Sequence, residues 1–262
     1  ICPFNPLMVP ISTTIITVMN IRLLRLASSA LPIGSFAHSQ GLERAHHDGI
    51  VIDEVSAEQW LREIYSAGLS QTDLPMLQVM REARLANDVD EMSRLNQLML
   101  ASRETKELWQ EDMRLGLALK KLLDVDGTDV VQLEQCSLVT QWARAGVMWD
   151  IDEEATRSAY IFSWLENACL ACAKLLPLGQ QQVHRLMKHL FQVVESTPKE
   201  LFDEATWGPS LPGLAMLSSR HEYLENREEI GKVQSIHSLI LIGNKINKSP
   251  LSIFELSILY NK

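Results

Sequence analysis

Residues 31–43 read LPIGSFAHSQGLE and bring Ser35, His38 and Ser39 into one short stretch. A serine beside a histidine is the material of nucleophilic hydrolysis, in which the imidazole takes the hydroxyl proton. A nucleophile elbow needs a Gly-x-Ser-x-Gly turn at the end of a strand, whereas Gly34 directly precedes Ser35 and no strand pattern leads into it. The stretch reads instead as a joint in a helical scaffold. Pro32 and Gly34 bend the chain, Ser35 caps the helix that follows, and Gly41 permits close helix approach. A helical hydrolase using Ser35 or Ser39 with His38 stands as the alternative.

Cys169 and Cys172 form a C-x-x-C inside an apolar helical pattern, without a second cysteine or histidine pair at ligand spacing. Structural zinc prefers such a pair on a turn and needs two further ligands, so buried thiols are the expectation, with a stand-alone nickel carrier as the alternative. His46 and His47 are sequential and His184 and His189 are five apart, so neither pair shares a helix face. The sequence thus predicts neither a metal site nor a catalytic set. The charge run ETKELWQED at 104–112 predicts a solvated helix face with Trp109 as its odd member, either edge packing or a partner anchor.

The elements behind these residues read as all-α, because apolar residues recur at three- and four-residue spacing from Met19 to about Arg227. A helix over 20–30 is broken at Pro32 and Gly34, and helical spacing resumes from Phe36 to His47. Ser56 with Gln59 and Asp88 with Glu91 read as capping boxes, and a helix between them starts near Thr72 with Pro75 in its first turn. A polar-faced helix follows over 103–123. Asp126-Gly127-Thr128 marks a loop and the cap of a helix running to Trp149. The segment from Asp152 to Leu176 has an unusually apolar surface and is expected at the centre of the core, closed by Pro177 and Gly179. Residues 180–196 form another helix, Pro198 opens a short one, and a hairpin across GNK near the end is conceivable.

Of the 262 residues, 46% are apolar and 22% charged, and 24 basic against 33 acidic side chains give a formal charge of −9. A surface of that sign repels phosphate backbones, which argues against nucleic acid as a partner. Four cysteines are too few and too uneven for a disulfide framework and fit a reducing, cytoplasmic setting. Residues 1–18 are apolar but lack a basic n-region and are too short to span a membrane, so neither export nor insertion is expected. Met19 is the expected translation start. The expected organisation is an atypical extension at 1–18, a helical domain at 19–222 and an atypical tail at 223–262, where Ile, Ser, Asn and Lys become abundant.

Four stretches together resemble the UreF family of urease accessory proteins: LPIGSFAHSQGLE at 31–43, SRETKELWQEDMRLG at 102–116, SWLENACLACAKLLPLGQ at 163–180 and LPGLAMLSSRHE at 211–222. The resemblance implies an all-α homodimer without enzymatic activity or intrinsic cofactor. It would act with UreD (UreH in some nomenclatures) and the GTPase UreG on apo-urease, the partners handling nickel. Matched positions imply partner contacts at Phe36, Ser39, Gln40, Glu43, Glu104, Glu107, Asp112, Lys174, Gln180, Arg220, His221 and Glu222, with Trp109 as an anchor. Lys174 is the cation expected to modulate the GTPase, set against a reading in which it only snorkels from an apolar helix. Pro32, Gly34, Gly41, Trp164, Pro177 and Gly179 are the structural positions. After Glu222 the chain departs from the short family tail that helps to bind UreD, so weakened UreD binding is expected.

Overall fold

The computed structural model describes residues 21–33, 41–128, 131–208, 211 and 214–215. Within them the chain is helical, without a strand. Its helices are α1 (Ile21–Ala27), α2 (Leu42–His47), α3 (Glu54–Glu63), α4 (Asp73–Leu85), α5 (Val89–Ala101), α6 (Lys106–Leu123), α7 (Leu138–Met148), α8 (Glu153–Leu175) and α9 (Gln180–Ser196). The all-α expectation stands. All of these belong to the unit Ile1–Glu222; the second unit, Tyr223–Lys262, lies outside the described residues, as does the GNK hairpin.

Side-chain caps set most of the starts. Asp53, Asp88, Thr105, Ser137 and Asp152 each hold extended backbone and accept a hydrogen bond from the amide three residues on. Each thereby satisfies one of the donors that a helix start leaves open. Asp88 and Thr72 sit where the sequence placed them, with Pro75 in the first turn of α4. The box at α3 is shifted, however. Ser56 is its third helical residue rather than its cap, receiving the Asp53 amide at 3.0 Å while Asp53 Oδ1 accepts the Ser56 amide at 2.9 Å. Gly41 precedes α2 with φ of 77°, a left-handed conformation that glycine adopts without strain, so backbone conformation is what this position requires.

Other expectations are corrected. Asp126-Gly127-Thr128 leaves α6 but caps nothing, since α7 opens only at Leu138 behind Ser137. No helix follows Pro198; the chain runs irregularly to a turn at 204–206. After α3 the helix widens into a π-helical stretch, Ile64–Leu69, closed by the Ser70 amide on the Tyr65 carbonyl at 2.9 Å, and nothing in the apolar spacing announces it.

The centre of the core is α7 rather than α8. Every residue from Val139 to Gly146 is buried, and Trp142, only 1% exposed, is among the largest enclosed side chains. α4 and α6 are its main neighbours, and α8 packs across α7, α4, α1, α2 and α9 while leaving Phe162 and Leu170 toward solvent. The apolar surface of α8 thus reflects its many neighbours. α7 lies deep because short residues let its neighbours close on it. A Cβ on Gly116 of α6 would stand 2.0 Å from the Cys136 carbonyl oxygen, on the segment leading into α7. Replacing Gly116 by alanine is therefore expected to cost about 1–3 kcal/mol through overpacking. Urea denaturation reads this directly, and an unchanged midpoint would show that the approach is not tight.

Candidate functional site

Four helices deliver charge to one place in the interior. Asp73 opens α4, Arg103 follows α5, Asp112 lies on α6 and Tyr160 on α8. Arg103 donates from Nη2 to Asp73 Oδ1 at 3.0 Å, from Nη1 to Asp73 Oδ2 at 3.3 Å, and from Nε to Asp112 Oδ2 at 3.1 Å. The Tyr160 hydroxyl donates to Asp73 Oδ1 at 2.7 Å, and the Thr72 hydroxyl lies 2.8 Å from Asp73 Oδ2. Asp112 Oδ1 accepts the Leu138 amide at 2.8 Å and so anchors the first turn of α7. Trp142 packs edge-on against the Tyr160 ring, with centroids 5.2 Å apart.

The two carboxylates share one cation but differ in protonation. Burial raises Asp73, yet the Arg103 charge and hydrogen bonds from Arg103, Tyr160 and Thr72 outweigh it and hold the carboxyl below its ordinary range. Asp112 is raised, because burial, reinforced by the negative charge of Asp73, exceeds the help of Arg103 and the Leu138 amide. Burial would lower Arg103, but Asp112 and Asp73 keep it well above its ordinary value, while burial and then the Asp73 charge push Tyr160 well up. The phenol therefore stays a hydrogen-bond donor and the guanidinium stays charged. This set binds its own members, and no nucleophile faces a free general base in it.

Two cavities border the node. One, about 80 Å³, is lined by Ile33, Leu61, Trp142, Trp164 and Asn167 and meets Asp73 and Tyr160. The other, about 90 Å³, is lined by Arg103, Glu104, Glu111 and Asp112. Their walls are predominantly apolar, and Asn167 Oδ1 is buried without a hydrogen-bond partner among the described residues.

The positions singled out from sequence fall into three groups. Phe36, Ser39, Gln40, Arg220, His221, Glu222 and Gly34 lie outside the described residues, as do Ser35 and His38 of the hydrolase reading. Toward solvent stand Glu104, Lys174 and Gln180 fully, and Glu43, Glu107 and Trp109 in part. Burial nudges the Glu104 carboxyl up and the Lys174 ammonium down. Asp112 forms the third group: it is 5% exposed and faces Arg103, so its carboxylate is an interior contact and not a surface one. Glu111 is buried beside it, so the face expected to be wholly solvated is partly core. Of the structural positions, Pro32, Pro177 and Gly179 are exposed. The Gly179 amide is capped by Gln182 Oε1 at 2.8 Å, opening α9. Trp164 packs its ring 6.1 Å from that of Tyr65.

Cys169 and Cys172 are buried, and burial pushes both thiols up to about 12. A thiol held protonated is a poor ligand, since metals take the thiolate. His46 Nδ1 meets the Val51 carbonyl at 2.8 Å and His189 Nδ1 meets Glu58 at 2.8 Å, far from the cysteines in the chain. Among the described residues no three metal-binding side chains gather.

An all-helical scaffold pinned by an internal acid–arginine–tyrosine node is the class of protein that these features define. A family model described as UreF matches residues 51–191, a span that contains every member of the node. A urease accessory protein UreF of Hahella chejuensis is 40% identical over 207 residues, covering 77% of this chain and 93% of that protein. The UreF of an Azoarcus strain is 38% identical over 213 residues (77% and 91%), and that of a Marinomonas strain 35% over 219 (81% and 95%). The chain belongs to the UreF family of urease accessory proteins.

Removing Arg103 should strand two buried carboxylates. Arg103→Met is expected to lose about 3–5 kcal/mol at neutral pH. Without the cation both acids have folded-state pKa values raised above the unfolded value of about 3.9, so protonation favours the folded form and the deficit shrinks as pH falls toward that value. Chemical denaturation of parent and variant at pH 7 and pH 5 tests this, and a deficit that stays constant or grows on acidification would contradict it.

Proposed function

We propose that this protein is a non-catalytic helical adaptor in the delivery of nickel to apo-urease, acting in the cytoplasm as a homodimer with UreD (UreH) and the GTPase UreG. The observation that carries the reading is the match to proteins named urease accessory protein UreF over more than nine-tenths of their length. The geometry is consistent with a scaffold, because its most concentrated chemistry is turned inward and consumed in holding α4, α6, α7 and α8 together. No helix among the described residues is long and apolar enough to cross a membrane. Nickel is cargo in this reading, and the chain supplies no resident cofactor.

Partner contacts fall to the outward side chains: Glu43, Glu104, Glu107 and Trp109 near the ends of α2 and α6, and Lys174 and Gln180 around the α8–α9 corner. The segments Phe36–Gln40 and Arg220–Glu222 complete the set on the strength of the motifs alone. Lys174 offers a cation for the GTPase's phosphate chemistry. The full chain is expected to restore nickel-dependent urease activity to cells lacking their own gene for this function, and soluble protein without rescue would refute the adaptor role. Lys174→Ala should change GTP turnover of the UreG complex while altering fold stability by less than about 0.5 kcal/mol, as exposed substitutions do. Unchanged turnover would remove Lys174 from the proposed contacts.

A further inference from the structure

On the side of α4 away from the node, a small cleft is lined by Leu74, Leu77, Gln78, Arg81, Glu153, Thr156, Arg157 and Lys199. Three cations gather there in a chain whose net charge is −9. Lys199 is already matched, with Nζ 2.9 Å from Glu153 and 3.9 Å from Glu154. Arg81 and Arg157 have no carboxylate partner among the described residues, and Arg81 Nη1 is buried there without any hydrogen-bond acceptor. That nitrogen lies in the α4–α7–α8 seam, 3.3 Å from where a Cβ on Gly146 would stand, beside Thr156, whose hydroxyl donates to the Asp152 carbonyl at 2.8 Å.

A buried guanidinium N–H without an acceptor is costly, and buried donors are nearly always satisfied in folded proteins. The missing partner must be an acceptor, and two unmatched positive charges make it an anion. The cleft sets the size of that anion: about 10 Å³ is room for roughly one water-sized sphere, which suits a single carboxylate head and not a phosphate with its full set of oxygens. Leu74 and Leu77 provide apolar walls for the carbon that bears it. We infer that the Arg81–Arg157 cleft is a carboxylate-binding site, filled by the side chain of an aspartate or glutamate from a docking protein or by a small free carboxylate.

The test is thermal unfolding of the full chain in sodium acetate, N-acetyl-glutamate amide or sodium phosphate, each against sodium chloride at matched ionic strength. Acetate or the capped glutamate should raise the unfolding midpoint saturably, by about 2–4 °C for roughly 1 kcal/mol of linkage. Arg81→Gln and Arg157→Gln, made separately so that one folding failure leaves the other readable, should each lose that response. A stronger response to the capped glutamate identifies a protein side chain as the ligand, and an equal one a free carboxylate. No saturable shift in the parent, a shift retained in both variants, or a larger response to phosphate would overturn the site.

Discussion

One guanidinium holds the structure's distant parts together. Arg103 stands between two carboxylates from different helices, and each of those carboxylates makes a further bond that fixes another element: Asp73 to Tyr160 on α8, Asp112 to the first amide of α7. An ion pair this deep is weak evidence for stability by itself, because removing charges from water costs several kcal/mol per ion. Its consequence is specificity. Only one mutual arrangement of α4, α6, α7 and α8 satisfies every donor and acceptor in the set, whereas apolar packing alone tolerates many.

A second polar set does comparable work nearby. Asn96 on α5 donates to the Gln135 carbonyl at 2.9 Å and accepts from the Ser137 amide at 3.0 Å and the Thr140 hydroxyl at 2.9 Å. Arg144 of α7 pairs with Asp124 at 2.8 Å, tying the far end of that helix to the loop after α6. The most buried helix is thus fixed at both ends by hydrogen bonds from its neighbours. A scaffold built this way holds its outer surface in a defined shape, which is what an adaptor that docks several proteins requires.

Much of the fold was legible because helices announce themselves locally. Asp88 and Asp152 cap where their side chains stand before apolar periodicity, and Gln180–Ser196 is bounded as its spacing predicts. What failed was context. Ser56 looked like a cap because Asp53, the better acceptor, stood three residues earlier outside the periodic run. The apolar richness of α8 looked like centrality, although it serves five neighbours and α7 is the more enclosed. The node was the least legible feature of all. Asp73, Arg103 and Tyr160 are 30 and 57 residues apart, and no spacing rule connects them. Arg103 and Asp112 did lie within the recognised 102–116 block, but a motif marks position, and only the folded chain shows that Asp112 faces inward while Glu104 faces out.

Asp73 and Asp112 do not bond to each other, so any energetic link between them runs through Arg103, and that link is the central claim. It is measured most directly by a double-mutant cycle, with Asp73→Asn, Asp112→Asn and the double variant compared with the parent by urea denaturation at neutral pH. A coupling of about 1–3 kcal/mol is predicted, as for residues sharing one ion-pair network. Additivity within about 0.5 kcal/mol would contradict it and leave two independent contacts where a single node is described.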